Sequence, residues 1–330
     1  MAVYDTRGGG QVHIDKVLSN ISMGYQNEDF IGENLFPVVN VSKQSDLYYE
    51  FGREGWGPIL TEGVDTTLRA PGTVATEVPG MTVTTNPYFA KERAAQIAVT
   101  DEEVENADTP LAPRRDGTNL VTEQLTVAKE LQIKALVTTV ANYNSGNRVT
   151  LSGTSQWSDY ANSTPKSDVK TGRDSIHAKV FQRANWMVIP YEVMSQLEDH
   201  TNIIERIKYS ERGILTQKIV AAFLGISNIF VPGSGYNSAN PGQSESIGYI
   251  WGKDVVMGWN PPSPGMRVPA FGYEFNWGYG GGQRRQVTRW REEARKSDVV
   301  RVGHRYDLKF IAVDSSGDSI AGYLIKDAVA

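Results

Sequence analysis

Apolar residues recur at spacings of three and four along one stretch of the chain: Val121, Leu125, Ala128 and Ala135, with Leu120, Val127, Leu131 and Leu136 widening the stripe. That is the period of a helix with one apolar face. It predicts a helix over 118–143 with no Gly or Pro inside, roughly 39 Å long at 1.5 Å per residue. Upstream the period changes to two. Leu47, Tyr49 and Phe51 alternate with Tyr48 and Glu50, and a second strand-like run covers 81–99. A stretch rich in Gly and Pro separates the two. Together they predict one long hairpin over 46–99. A connection that long is unusual inside a compact domain, and a lone two-stranded ribbon is marginal in water. Such a hairpin either folds back on its own body or reaches a neighbour.

The remaining pattern is mixed. TDEE, from Thr100 to Glu103, is a capping-box sequence that starts a short helix. A helix is expected over 167–183. ANWMVIPYEVMSQLEDH, at 184–200, reads as a buried strand running into a helix over 191–198, with Trp186, Val188 and Ile189 as candidate core. A helix over 216–224 and strands over 226–231 and 246–259 follow. The segments 306–313 and 319–326 flank the turn DSSGD and predict a hairpin. Residues 1–45 are mixed and rich in Asn, Gly and Ser, and read as an extended arm with one short helix near 14–23. The order of elements is α+β, not a regular alternation of strand and helix.

Composition narrows the class. The chain has 330 residues, 40% hydrophobic and 22% charged, enough for a sizeable core. It has no cysteine, which removes disulfides, thiolate metal sites and cysteine nucleophiles. The net charge of −5 does not suit a basic, sequence-reading DNA binder. No secretion signal opens the chain, and the longest strongly apolar run, 219–226, is too short to span a bilayer. The expectation is a soluble, cytoplasmic protein with no membrane partner.

Candidate chemistry is sparse. The four histidines, His13, His177, His200 and His304, are far apart in sequence and form no metal-ligand motif. No G-x-S-x-G elbow occurs. GYIWGKD, at 248–254, has too few residues between its glycines for a phosphate loop, and Asp254 stands where Ser or Thr would bind magnesium. GYGGGQRR, at 278–285, could offer amides and guanidinium groups to a phosphate, but reads more simply as a loop. The acids of DEEVE, at 101–105, suit a helix N-terminus. No catalytic residue, cofactor site or metal site is expected. An arm, a long hairpin and a long helix without a catalytic constellation point to assembly.

In that order the elements resemble those of tailed-bacteriophage major capsid proteins with the HK97-type fold. The resemblance runs from about residue 30 to the C-terminus. It rests on VTDEEVENADTP ahead of a long helix ending near TTVANY, on QWSDYANSTPKSDVKTGRDSI, on ANWMVIPYEVMSQLEDH, and on LTQKIVAAFLGISNIFVPGSGYNSAN followed by SIGYIWGKDVVMGW. The resemblance implies an N-terminal arm over 1–45 and an extended hairpin, the E-loop, with its base over 46–99. It implies a peripheral (P) domain over 100–165 carrying the spine helix 118–143, a mainly axial (A) domain over 166–283, and a return to the P-domain sheet over 284–330. Trp186, Val188 and Ile189 would be axial-domain core.

The same resemblance implies the function: a coat protein that self-assembles as pentamers and hexamers of an icosahedral shell around packaged double-stranded DNA. Expected partners are other copies of the chain, a separate scaffolding protein, a portal and decoration proteins, with non-specific DNA contact on the inner face. Assembly would occur in the host bacterial cytoplasm. Some family members weld subunits through an E-loop lysine; no lysine lies between Gln44 and Ala90, so no such bond is expected. Two alternatives stand beside this reading: an encapsulin-like protein compartment, which shares the fold, and an α+β hydrolase with an unrecognised site.

Charge adds one contact hypothesis. From 46 to 80 there are six acids against two bases, and from Arg284 to Lys296 six bases against two acids. The expectation is that Glu50, Glu54, Glu62 and Asp65 of the hairpin lie near Arg289 and Arg291 of an adjacent subunit. Exposed ion pairs would set register more than strength.

Overall fold

The computed structural model describes residues 30–51, 67–77, 82–108, 111–207, 217–240, 242–265, 268–278 and 284–330. The chain opens with α1 (Gly32–Leu35), β1 (Val38–Asn40), β2 (Ser45–Phe51), β3 (Val83–Phe89) and β4 (Lys91–Thr100). It continues with α2 (Asp101–Glu105), α3 (Pro113–Val137), β5 (Arg148–Thr150), α4 (Pro165–Val180), β6 (Trp186–Val188), α5 (Tyr191–Glu198), α6 (Thr201–Ile207) and α7 (Gln217–Leu224). Then come β7 (Asn228–Phe230), β8 (Gly235–Asn237), β9 (Ile247–Tyr249), β10 (Val255–Gly258), β11 (Gly272–Asn276), β12 (Arg285–Glu292), β13 (Ser297–Phe310) and β14 (Gly322–Lys326).

Two five-stranded sheets carry the body. The first is built around the long strand β13, with β4 on one side, β12 and β11 on the other, and β1 parallel to β11 at the margin. The second runs β5-β14-β10-β6-β7. Its strands β10 and β6 carry no polar side chain because both faces are covered. Met187, Ile189, Met257 and Ile325 face a core shared with Val169 and Ile176 of α4, Leu197 of α5 and Val220 of α7. Trp186, Val188, Val256 and Leu324 face a second core made with Leu35, Phe36, Ile133, Val137, Tyr143 and Phe271. That second core also packs partly buried residues of β13, so it joins the two sheets. Trp186, Val188 and Ile189 are at most 3% exposed. The unbroken WMVI run is therefore a strand buried on both sides, with its turn sealed by Pro190 at the N-cap of α5.

Helix α3 lies along the first sheet. Gly117, in its second turn, sits so close to β4 that a Cβ there would meet Ile97 Cγ2 at 3.2 Å. The helix spans 113–137 where the apolar pattern predicts 118–143. It begins earlier because Pro113 occupies the first turn, where its missing N–H costs nothing. It ends earlier because side chains six residues downstream take its last carbonyls. The Tyr143 hydroxyl donates to Val137 O at 2.8 Å and Asn142 Nδ2 donates to Leu136 O at 2.7 Å.

Several expectations need correction. The arm assigned to 1–45 includes packed structure: Leu35 and Phe36 are fully buried and β1 pairs with β11, because the run LFPVV is apolar enough to join the core. The possible helix at 14–23 lies outside the described residues. The run 81–99 is two strands, divided at the buried Ala90; β3 pairs with β2, while β4 pairs with β13. The segment 246–259 breaks at Ile250–Asp254, where Trp251 is buried and Gly252 has φ of +60°. The hairpin expected from 306–313 and 319–326 does not form as such. β13 and β14 enter different sheets, and only the residues between them pair, at a bridge between Val313 and Ser319 and through Ile320 N to Ala312 O and Asp314 N to Asp318 O. Likewise 284–330 does not return to one sheet: β12 and β13 join the first and β14 the second, while β11, from the 166–283 stretch, joins the first.

Candidate functional site

The pairing of β2 with β3 makes a two-stranded ribbon standing off the first sheet. Register sorts its side chains onto two faces. On one face Tyr48 and Tyr88 stack against Phe275 of β11, with ring centroids 5.3 and 4.8 Å apart. Tyr88 Oη donates to Lys43 O at 3.2 Å, and Asn86 Nδ2 donates to Glu50 Oε2 at 2.6 Å. Burial pushes the Tyr48 hydroxyl up to about 12, with Glu50 and Asp307 adding to the shift. At the foot of the ribbon, Phe89 N donates to Asp307 Oδ2 at 2.9 Å. This face fixes the ribbon to its own body.

The opposite face has no such cover. Leu47, Tyr49, Val83 and Phe89 are 56%, 61%, 50% and 47% exposed. Leu47 lies across from Pro87, a residue tolerated here because a two-stranded ribbon has only edge strands. Four large apolar side chains on one exposed strip form a contact surface rather than scattered surface residues.

The second exposed feature is β12. It is the outer neighbour of β13, and residues 286–291 are exposed along its length, including Val287 at 56% and Trp290 at 41%. An uncovered strand margin of this length is a template for pairing. The two arginines singled out from the sequence lie on it. Arg289 Nη2 is 2.6 Å from Asp298 Oδ2, and Arg291 holds Asp101 through two contacts of 2.5 and 2.6 Å. The hydrogen bonds from Arg291 keep the Asp101 carboxyl below its usual range, and that carboxylate raises the guanidinium in turn. Both arginines are thus engaged within their own chain. Glu50 is on the ribbon, bonded to Asn86; Glu54, Glu62 and Asp65 lie outside the described residues.

A third feature was not anticipated from the sequence. Where α1, α3, β11, β12 and β13 converge there is a cavity of about 610 Å³, lined by residues including Phe30, Glu33, Lys129, Arg284, Arg285 and His304. Behind it Glu274, fully buried, meets Lys129 Nζ at 2.7 Å and His304 Nε2 at 3.3 Å. Glu33 bridges Lys129 at 3.3 Å and Arg284 at 3.2 Å. Burial favours neutral Glu274, but His304 and Lys129 outweigh it and hold the carboxyl below its usual range. Glu130 differs: burial pushes it up despite donors from Ile31, Trp251 and Gly32. No local motif marks this group, because its members come from five separate elements.

Among the described residues the close Ser and His pair that bears on the hydrolase alternative is Ser163 and His200, 3.0 Å apart and buried. His200 Nδ1 accepts from Asn202 N at 3.2 Å, so the ring proton sits on Nε2 and is donated to Ser163. The serine hydroxyl in turn donates to Asp159 O at 2.7 Å. The proton order is the reverse of what an activated nucleophile needs. Asp254, of the phosphate-loop look-alike, is bound to Lys326 at 2.6 Å. Among the described residues no group of three His, Cys, Asp or Glu could hold a metal ion, and no helix is long and apolar enough to cross a membrane.

A long helix laid on one sheet, a second sheet buried in the core and a projecting ribbon constitute the HK97-type capsid fold. No protein-family model matches the chain. It is 28% identical over 268 residues to the major capsid protein of Burkholderia phage BcepMu, covering 81% of this chain and 82% of that protein. A phage-related protein from Bordetella bronchiseptica RB50 has the same fold, with a TM-score of 0.68 at 24% identity over 95% of this chain and 97% of that one. The capsid structure of cyanophage P-SCSP1u matches with a TM-score of 0.59 at 10% identity over 93% and 90%. The chain is thus similar in sequence to phage major capsid proteins and shares the fold of phage capsid structures.

Proposed function

We propose that copies of this chain form pentamers and hexamers of an icosahedral shell that encloses packaged double-stranded DNA, and that the ribbon is the element that ties each copy to the next. The observation that carries this reading is the ribbon's uneven pair of faces: one is stacked onto Phe275, the other leaves Leu47, Tyr49, Val83 and Phe89 about half exposed. The receiving surface is the margin of β12 on an adjacent copy, with Val287 and Trp290 exposed. Donor and acceptor surfaces are different patches of one chain, so the contact is head-to-tail, the kind that builds a ring when its rotation closes. Many weak contacts then add up to a stable shell.

The acids Glu50, Glu54, Glu62 and Asp65 would approach Arg289 and Arg291 of that neighbour. Those arginines already hold Asp298 and Asp101, so the acids would share them and set register rather than supply most of the binding. No catalytic role is assigned. A separate scaffolding protein, a portal, decoration proteins, assembly in the host bacterial cytoplasm and non-specific DNA contact on the inner wall belong to the same proposal.

The absence of cysteine makes a direct test available. Single cysteines at Tyr49 and at successive positions of β12 are introduced in one chain, and assembled particles are oxidised. Disulfide-linked multimers from a subset of β12 positions are expected. Closed particles that never cross-link at any of them would overturn the docking site. DNA protected from nuclease inside purified particles tests the cargo.

A further inference from the structure

We infer that the cavity where α1, α3, β11, β12 and β13 converge is a binding site for a phosphate group, held by Arg284 and Arg285. Its volume, about 610 Å³, is in the range of small-molecule sites. It admits either the free ion or the phosphate of a small phosphomonoester. Glu33 and Arg284 are part-exposed at its rim, so a ligand can enter there.

The feature that marks the site is a surplus of hydrogen-bond donors. Three acids surround it, and each is already engaged. Glu33 gives one oxygen to Lys129 at 3.3 Å and the other to Arg284 Nη1 at 3.2 Å. Glu274, behind the lining, meets Lys129 and His304. Glu130 accepts from Ile31 N and Trp251 Nε1 at Oε1, at 3.0 and 2.9 Å, and from Gly32 N at Oε2, at 3.0 Å. Charge is balanced, with these three acids against Lys129, Arg284 and Arg285. The donors are not balanced. Arg284 commits only Nη1 to Glu33, while its Nε and Nη2 are shut off from water and have no acceptor. Among the described residues the Arg285 side chain has no ion pair and no hydrogen bond.

A buried donor without an acceptor has lost its hydration and regained nothing. Nε and Nη2 form one edge of the guanidinium, and their two parallel N–H bonds match two oxygens of a single oxyanion. The Arg284 side chain is 38% exposed as a whole and turns about several single bonds, so this edge can swing into the cavity that it lines. A phosphate group keeps a third oxygen for Arg285, the next residue. A carboxylate has only two oxygens and cannot serve both arginines as fully, which favours phosphate as the ligand class.

The test is calorimetric titration of the full chain, with chloride holding the ionic strength constant. The probes are inorganic phosphate, adenosine monophosphate and acetate. One of the two phosphate probes should saturate a single site per chain, and acetate should bind roughly tenfold more weakly or worse. Adenosine monophosphate bound at least as tightly as inorganic phosphate assigns the site to a phosphomonoester; weaker binding assigns it to the free ion. Arg284→Met should weaken the better probe roughly tenfold or more. Arg301→Met removes a cation that is paired with Glu92 and does not line the cavity, and should leave the affinity unchanged. Thermal melting shows whether each variant folds. If Arg284→Met does not, Arg285→Met takes its place with the same expectation. No saturable site for either phosphate probe, acetate bound as tightly as phosphate, a site that survives loss of the arginine, or equal weakening in Arg301→Met overturns the inference. The site lies within one subunit, so the outcome is independent of whether shells form.

Discussion

Replacing Leu47 and Tyr49 together by threonine should separate assembly from folding. Both residues lie on the outward face of the ribbon, and 56% and 61% of their surface is still exposed in the single subunit. Full burial of a leucine side chain contributes about 1.5–3 kcal/mol, and an aromatic somewhat more for its larger area. With about half of each left to cover, the pair supplies roughly 2–3 kcal/mol per subunit contact. At about 1.4 kcal/mol per factor of ten, that is a rise of roughly 30- to 150-fold in the concentration needed for assembly. Threonine keeps the β preference of the strand, so the loss of subunit stability should stay within about 0.5–1 kcal/mol. The assay is light scattering against protein concentration, with thermal melting of the unassembled subunit alongside. An unchanged assembly threshold with an unchanged melt would refute the idea that this face docks.

Other outcomes follow from the body of the structure. Ile189 is fully buried between β6 and α5. Ile189→Ala should cost about 2–5 kcal/mol in chemical denaturation, and Ile189→Asp should abolish folding and assembly together; a soluble, folded Ile189→Asp subunit would show that the second sheet is not the centre of the core. For the Arg291–Asp101 pair, Arg291→Asp alone should lower the melting temperature, and adding Asp101→Arg should restore it. Restored stability with failed assembly would show that Arg291 is needed by a neighbour. Burial lowers the pKa of both His200 and His304, so the unfolded chain takes up protons first as the solution is acidified. Stability should therefore be full above about pH 6.5, the ordinary histidine value, and be lost as pH falls below it. A denaturation free energy that stays flat between pH 7.5 and 5.5 would contradict this.

The parts of the fold legible in the sequence are those set by local period. Helix α5 falls at 191–198, where the pattern after Pro190 places it, and the Thr100 and Glu103 reciprocal cap forms as its spacing suggests. What the sequence hides is decided by partners far along the chain. Gly117 looks like a place for α3 to begin, yet it is inside the helix, where the close passage of β4 favours a residue without a Cβ. Ala90 carries no mark of a boundary, but there the chain passes from the ribbon to the first sheet. Ile311 to Ile320 resembles a hairpin turn because its flanks are strand-like, and only the competing partners β5 and β10 show why β14 goes elsewhere. At the candidate contact surface, alternation in β2 announced two faces but not which one the body keeps; Phe275 settles that from a strand more than 200 residues away. Charge counting found Arg289 and Arg291 without finding Asp298 and Asp101, because ion pairs across a sheet leave no trace in composition.

Electron microscopy of the purified, unaltered chain above its assembly threshold tests the shell directly. Uniform closed particles with five- and six-fold clusters of subunits are predicted, each ribbon resting on a neighbour. A population of small oligomers that does not close at any concentration, with the subunit folded, would contradict it.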